Sequence, residues 1–160
     1  MKLIIGLGNP EIKYFKNRHN TGYIFANELL KRSIPKSIVV KKTNIFMNDS
    51  GSIVKNLFDK YKVSLNDLYI VHDDLDIPLG EFKIQKGVGP MLHNGISSVN
   101  ERLKSKDYWR VRIGIDAREK DDRMSGEKYV LEDFEENEEE ILLEVIDKAI
   151  NKLLFQIKNG

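Results

Sequence analysis

A short apolar stretch, KLIIGLGNP at residues 2–10, opens the sequence and runs directly into glycines and a proline. The apolar run from Lys2 to Leu7 predicts a buried β-strand, because it is short and is ended by turn-forming residues. The glycines that follow predict a loop at the end of this strand.

Helical and strand-like patterns alternate after this first strand. Thr21 can act as the N-cap of a helix that stops before Pro35, and a second amphipathic helix is predicted from Ser50. Further strands are predicted at 38–40, 68–71, 82–85 and 109–115, and further helices at 96–103 and about 136–154. The alternation predicts an α/β fold, which we expect to be one mixed sheet with helices on both faces.

Length and composition limit the classes of protein. A chain of 160 residues with 41% hydrophobic content suits one core, so we expect one domain over residues 1–160. The absence of cysteine excludes disulfides, thiolate metal sites and cysteine nucleophiles. The first ten residues differ from a secretory signal, and no apolar run approaches the roughly 20 residues that cross a bilayer. We therefore expect a cytoplasmic protein without a membrane partner.

The net charge of +1 conceals two halves of opposite charge. Residues 1–62 carry a balance of +8 and the rest of the chain carries −7. Nine carboxylates and no Lys or Arg lie between Leu131 and Asp147. A basic face could attract phosphates, but an ordinary solvated surface explains the same skew, so charge alone does not establish a nucleic-acid partner.

The three histidines, at positions 19, 72 and 93, are the first candidates for chemistry. Histidine takes a proton near neutral pH, provided that an acceptor orients its other ring nitrogen. The segment His72-Asp73-Asp74 ends a predicted strand, where functional side chains of open α/β sheets gather. Each histidine taken alone is equally compatible with a hydrogen-bonded structural role. No two histidines have the spacing of metal ligands on a helix, so we expect no metal site.

Asparagines and glycines mark the loops. Four asparagines lie in or beside loops, and a carboxamide can both pair with a peptide backbone and stabilise an oxyanion. The glycine-containing loops after the first strand and at 87–95 permit close approach of a ligand, but neither matches a dinucleotide or phosphate-loop pattern. Ordinary turn chemistry explains each feature taken alone. The asparagines are Asn9, Asn20, Asn48 and Asn94.

Five segments stand out when they are taken together: GLGNP at 6–10, KYFKNRHNTG at 13–22, FMNDSG at 46–51, VHDDLDIPLG at 71–80 and HNG at 93–95. Together they resemble one known family, the bacterial peptidyl-tRNA hydrolases. The order also matches, and the similarity runs from Lys2 through about Leu131. Several short motifs in the right order are more specific than any one of them.

The resemblance implies an enzyme that hydrolyses the ester joining a peptide to the 3′ ribose of tRNA, and so recycles peptidyl-tRNA released from ribosomes. It implies neither a metal nor an organic cofactor. By resemblance, the catalytic residues are His19, which activates a water, Asp73, which orients His19, and Asn9. The residues that the resemblance assigns to substrate binding are Tyr14, Met47, Asn48, His93 and Asn94.

The sequence departs from the family pattern at two places. The stretch between residues 33 and 44 is shorter than usual, which suggests the loss of a hairpin. The glycine-rich GHGGHNG of the family is GPMLHNG at residues 89–95, so side chains at Met91 and Leu92 could narrow the cleft. For the tRNA phosphate the candidates are Lys83, Lys86, Arg110 and Arg112, among which the sequence does not decide.

Two other functions are compatible with the same residues. One is a protein of this fold that binds RNA or a partner without hydrolysis, since fold does not guarantee activity. The other is an aminoacyl esterase that acts on a small substrate and needs no basic face. Mere binding does not require His19, Asp73 and the three matched asparagines together, which favours the enzyme. We expect a monomer.

Overall fold

Five strands form one sheet within residues 1–122 and 124–160, which the computed structural model describes. Their order across the sheet is β2-β1-β3-β5-β4, and β4 runs antiparallel to β5 whereas the other neighbouring pairs are parallel. The predicted mixed sheet is therefore confirmed. The strands are β1 (Lys2–Gly6), β2 (Ile38–Lys42), β3 (Leu68–Pro78), β4 (Phe82–Lys86) and β5 (Trp109–Asp116).

Helices cover both faces of the sheet, as predicted. One face packs against α1 and α5, and the other packs against α2 and α3. In the described part of the chain, no helix is both long and apolar enough to span a bilayer. The helices are α1 (Thr21–Leu30), α2 (Ser50–Tyr61), α3 (Asn94–Leu103), α4 (Gly126–Val130) and α5 (Glu136–Asn159).

Alternate residues of β1 enter two separate hydrophobic clusters. Ile4 packs with Phe25 of α1 on one face, while Leu3 and Ile5 pack with Val54 of α2 on the other face, and all are fully buried. A strand that is buried on both faces shows a continuous apolar run instead of an alternating one. This double burial explains the apolar run of the first strand.

The start of α1 packs unusually close to the carboxyl end of the sheet. A Cβ on Gly22 would lie 2.4 Å from the Val71 carbonyl oxygen and 2.5 Å from the Leu7 nitrogen, so only glycine permits this approach. The Leu7 N–H donates to Val71 O at 3.0 Å, which joins the ends of β1 and β3. The residues just before α1 are thereby placed beside β3.

Thr21 does not act as the N-cap that the sequence predicted. It is the first residue of α1, and its hydroxyl donates to the Arg18 carbonyl oxygen at 2.7 Å. That carbonyl belongs to a one-turn 3-10 helix, Arg18–Asn20, that leads directly into α1. The chain therefore needs no extended capping residue, and the threonine hydroxyl braces the turn that carries His19.

Candidate active site

A cavity of about 700 Å³ opens at the carboxyl end of the sheet. Seven polar side chains line it, together with six apolar side chains and one glycine. The polar residues are Asn9, His19, Asn48, Asp73, His93, Asn94 and Glu127, and the others are Phe46, Met47, Leu75, Leu92, Gly126, Val130 and Leu131. The cavity therefore brings together most of the residues that the sequence selected.

His19 and Asp73 form a buried pair at the floor of this cavity. His19 Nδ1 lies 2.8 Å from Asp73 Oδ2, and the two residues are 9% and 2% exposed. An ionised carboxylate only accepts hydrogen bonds, so His19 carries its proton on Nδ1. The ring nitrogen Nε2 then has a free lone pair, which is the arrangement a general base requires.

Burial and charge act in opposite directions on this pair. Burial alone would lower the pKa of His19, but the charge of Asp73 and the hydrogen bond outweigh it and raise the pKa above its ordinary value. Burial alone would raise the pKa of Asp73, but the neighbouring His19 and His93 hold that pKa well below its ordinary range. Asp73 is therefore ionised at neutral pH.

His93 occupies the other oxygen of Asp73. Its Nε2 lies 2.8 Å from Asp73 Oδ1, while its Nδ1 accepts the Ile96 N–H at 3.2 Å and so caps α3. An Nδ1 that accepts a hydrogen bond carries no proton, so in this arrangement His93 donates to Asp73 through Nε2. With both oxygens engaged, the carboxylate of Asp73 cannot rotate away from His19.

His72 is next to Asp73 in sequence but does not line the cavity. It is fully buried, and its Nδ1 donates to the Asp73 carbonyl oxygen at 2.8 Å. Burial above all, with a contribution from His93, lowers the pKa of His72 to about 3. His72 is thus a neutral structural histidine, the role that the sequence left open for each of the three.

Asn9 is held by hydrogen bonds on both its backbone and its side chain. Its Oδ1 accepts the Met47 N–H at 2.8 Å, which leaves the two N–H donors of the carboxamide for another partner. Asn20 donates to Asn9 O at 2.9 Å and accepts from Asn9 N at 2.8 Å. Sequence reasoning gave Asn20 no role, although its position next to His19 was the available signal.

Asn48 and Asn94 lie on opposite helices around the cavity. Asn48 is in the one-turn 3-10 helix that precedes α2, and Asn94 is the first residue of α3. Both are exposed, so their carboxamides are available to a ligand. Met47 beside them is buried at 4% exposure, and its sulfur packs against Gly95, where a Cβ would lie 2.5 Å away.

Tyr14 was expected in the cleft but is not among the cavity-lining residues that the structure describes. Tyr14 is the last residue of a separate 3-10 turn, Ile12–Tyr14. The centre of its ring lies 5.0 Å from the Lys13 ammonium. The Asn17 N–H donates to the Tyr14 carbonyl oxygen at 3.0 Å, which turns the chain before it reaches Arg18.

Arg110 and Arg112 do not form the exposed phosphate-binding face that the sequence suggested. They are 2% and 6% exposed. Arg112 Nε donates to Asp74 Oδ2 and its Nη1 to Gln85 Oε1, each at 2.7 Å, while Arg110 Nη1 donates to the Gly89 carbonyl oxygen. Their guanidinium groups donate hydrogen bonds to groups within the protein, one of which, the Gly89 carbonyl oxygen, lies in the loop that leads to His93.

Lys83 and Lys86 remain exposed on the edge strand β4. An odd separation along a strand places their side chains on opposite faces, and Lys86 Nζ contacts Asn66 Oδ1.

In the loop that follows β4, Leu92 is 89% exposed and lines the cavity. Met91 is 87% exposed and is not among the described lining residues, so only Leu92 can narrow the cleft.

The His19, Asp73 and His93 group is also the cluster of described residues nearest to a metal-ligand arrangement. Their potential ligand atoms lie within 4.8 Å of one another. Both histidine nitrogens that face Asp73 carry protons in the hydrogen-bonded arrangement, however. A metal bound at His93 Nε2 would require the ring proton to lie on Nδ1 instead. That proton would then face the Ile96 N–H, and the hydrogen bond between them would be lost. The geometry is that of a hydrogen-bonded relay.

The apolar wall of the cavity was not found by sequence reasoning. Val130 and Leu131 come from the segment after β5, and Leu75 comes from the far half of β3. Gly126 packs on Leu75, where a Cβ would lie 2.8 Å from the leucine Cδ1. No local pattern marks these residues, because they reach the cavity only through packing.

Comparison with known proteins identifies the family. The family profile described as peptidyl-tRNA hydrolase matches residues 3–160. The peptidyl-tRNA hydrolase of Citrifermentans bemidjiense is 37% identical, with 99% of this chain and 93% of that protein covered, and that of Aquifex aeolicus is 34% identical, with 99% and 91% covered. A crystal structure of peptidyl-tRNA hydrolase from Acinetobacter baumannii superposes with a TM-score of 0.80 at 29% identity, covering 99% of this chain and 90% of that one. This chain therefore belongs to the peptidyl-tRNA hydrolase family.

Proposed function

We propose that the protein hydrolyses the ester bond between a peptide and the 3′ ribose of tRNA, with His19 as the general base. The observation that carries the proposal is the 2.8 Å hydrogen bond from His19 Nδ1 to Asp73 at the floor of a cavity. This bond leaves Nε2 as the nitrogen that can take a proton. Hydrolysis of this ester recycles peptidyl-tRNA released from ribosomes.

The reaction follows from the positions of these groups. Nε2 of His19 takes a proton from water while the water oxygen attacks the ester carbonyl carbon. The carbonyl oxygen becomes an oxyanion, which the free N–H donors of Asn9 stabilise. The tetrahedral intermediate then breaks its bond to the ribose 3′ oxygen. That oxygen receives the proton from His19, and the products are a peptide carboxylic acid and tRNA.

The peptide is proposed to occupy the rest of the cavity. Asn48 and Asn94 offer donors and acceptors to its backbone from two sides, and Met47 and His93 supply the surface between them. The apolar wall that includes Leu131 suits side chains of the peptide. Tyr14 is not among the described lining residues, so its expected contact with the substrate remains a prediction.

The tRNA is proposed to contact exposed lysines on β4. Lys83 and Lys86 remain from the original phosphate candidates, since Arg110 and Arg112 are buried. Their ammonium groups can neutralise backbone phosphates without reading sequence.

We also propose that the protein is a monomer that acts in the cytoplasm, where peptidyl-tRNA is released. The stretch between residues 33 and 44, which holds β2 at the edge of the sheet, is proposed to be the shortened part of a single domain over residues 1–160.

The test is single-turnover hydrolysis of a peptidyl-tRNA by the wild type and by His19→Ala. The variant should bind substrate but hydrolyse it about 10²- to 10⁴-fold more slowly, because general-base assistance is lost. Arg32→Met changes an ion pair with Asp147 that lies apart from this cavity, so it is the control and should retain the wild-type rate.

Two results would replace the proposal. A wild type that binds peptidyl-tRNA without hydrolysing it would indicate a binding protein. Equal rates on peptidyl-tRNA and on a peptidyl-adenosine ester that lacks the tRNA body would indicate a small-substrate esterase.

A further inference from the structure

The buried side chain of Arg18 joins the segment that carries His19 to one wall of the cavity. The wall is formed by residues 126–132, hereafter the cavity wall, of which four line the cavity. Arg18 directly precedes His19 in the 3-10 turn. The Arg18 side chain therefore links the segment that carries His19 to the cavity wall.

Arg18 is only 5% exposed, and its guanidinium contacts Glu138 and residues of the cavity wall. Nη2 donates to Glu138 Oε1 at 2.8 Å, Nη1 donates to the Tyr129 carbonyl oxygen at 3.2 Å, and Cζ lies 3.8 Å from the centre of the Tyr129 ring. A longer contact of 3.3 Å reaches Glu132. A buried charge with this set of partners holds them in one arrangement, because releasing it would leave an unpaired ion.

Backbone bonds form a seam along the same line. The Arg18 N–H donates to Glu132 O at 3.0 Å, and the Phe134 N–H donates to Lys16 O at 2.9 Å. The Asn17 side chain donates to the Leu131 carbonyl oxygen. The end of the cavity wall is thus fixed through a short antiparallel contact, and the Tyr129 part is fixed through the Arg18 side chain.

We propose that Arg18 is a positioning residue for substrate binding, which together with Glu138 fixes the cavity wall against the His19 segment. This inference rests on the proposed function, because it takes the peptide part of peptidyl-tRNA to be the ligand that contacts the cavity wall. The orientation of His19 comes from Asp73 on the sheet, a residue outside the described contacts of the Arg18 side chain. Loss of Arg18 should therefore weaken peptide binding more than it slows the chemical step.

Glu138 permits a substitution that isolates the ion pair. Its Oε1 accepts from Arg18 and also from the Glu135 N–H at 2.8 Å, as part of the capping box of α5. Glu138→Gln keeps an oxygen for the cap but removes the charge that pairs with Arg18. It therefore tests the link even if Arg18→Met fails to fold.

The experiment measures kcat and KM for peptidyl-tRNA in the wild type, Arg18→Met and Glu138→Gln. KM should rise on the order of tenfold in Arg18→Met and less in Glu138→Gln, with kcat changed less than KM, because ground-state binding is lost. The pH midpoint of kcat should stay at the wild-type value. Arg32→Met is the matched control: the Arg32–Asp147 pair also ties the first half of the chain to α5, but lies apart from this cavity.

Two further readouts separate positioning from general destabilisation. Affinity for deacylated tRNA should be unchanged, since no peptide enters the cavity. Amides of residues 126–132 should exchange hydrogen faster in Glu138→Gln, while those of β3 should not.

An unchanged KM in folded variants would overturn the inference, as would a shifted pH midpoint of kcat, which would mean that Arg18 acts through His19. A wild type without hydrolysis would instead overturn the proposed function. In that case unchanged exchange of 126–132 in Glu138→Gln would still show that the ion pair does not hold the wall.

Discussion

His93 donates a hydrogen bond to Asp73 Oδ1 over 2.8 Å, on the oxygen that His19 leaves free. The two rings lie 4.9 Å apart between centroids and share one buried carboxylate. Asp73 therefore has a single orientation available to it. That orientation keeps the His19 proton on Nδ1 and fixes the orientation of the His19 ring.

The first prediction concerns pH. His19 must be neutral to act as a base, and Asp73 raises its pKa, so the hydrolysis rate should rise with pH through a midpoint above about 6.5. Asp73→Asn removes the raising charge but leaves His19 buried, so the midpoint should move to lower pH and the rate plateau should fall. Single-turnover rates across the pH range measure both effects. A midpoint that is the same in both proteins would contradict this account of His19.

The second prediction separates the two roles of His93. His93→Asn keeps a side chain that can cap α3, but it is too short to reach Asp73. This variant should unfold at nearly the wild-type denaturant concentration while hydrolysing peptidyl-tRNA roughly tenfold more slowly, within the range that mispositioned groups cost. His93→Ala should lose both stability and rate. Equal rates for wild type and His93→Asn would show that Asp73 needs no second donor.

The third prediction concerns stability in acid. The pKa of His72 is about 3 in the folded protein and about 6.5 in the unfolded chain, so between these values the unfolded chain binds more protons. Stability from this group is therefore present above pH 6.5 and is lost as pH falls, by about 2 to 3 kcal/mol at pH 4.5. Urea unfolding of wild type and His72→Asn at pH 7 and pH 4.5 checks this. His72→Asn should lose less stability between the two pH values, and an equal loss would contradict the burial effect.

The fourth prediction concerns tRNA binding. If Lys83 and Lys86 contact phosphates, the double variant Lys83→Glu/Lys86→Glu should bind tRNA more weakly, and its affinity should depend less steeply on salt. Binding titrations at several salt concentrations measure both quantities. An unchanged affinity and slope would place the phosphate contacts elsewhere.

The fifth prediction tests the corrected role of Arg112. Arg112→Met would leave the Asp74 carboxylate buried without its cation, so the free energy of unfolding should fall by about 3 to 5 kcal/mol. The salt slope of tRNA binding should stay at the wild-type value under conditions where the variant is folded. Wild-type stability together with a reduced slope would restore Arg112 as a phosphate ligand.

Much of the fold was predictable from local sequence. The apolar run of β1, the amphipathic pattern from Ser50 and the alternation in β5 each act over a few neighbouring positions, which is the range that periodicity reports. The motifs around His19, Asp73 and His93 indicated the family before any geometry was known. The prediction that Thr21 is an N-cap was wrong, because the residues before it form a 3-10 turn that leads directly into α1.

Only the tertiary structure decided the use of the arginines and the shape of the cavity. Arg110 and Arg112 alternate with apolar residues, as solvent-facing side chains of a strand do. Their face of the sheet is instead filled by Asp74, Gln85 and the Gly89 carbonyl oxygen, which come from other parts of the chain. The cavity wall likewise meets the His19 segment across more than a hundred residues of sequence, as in the Asn17–Leu131 bond. The sequence by itself determined which elements form and which residues can do chemistry, because those properties are local. Which charges face solvent and which walls enclose His19 depended on long-range packing, which no local pattern encodes.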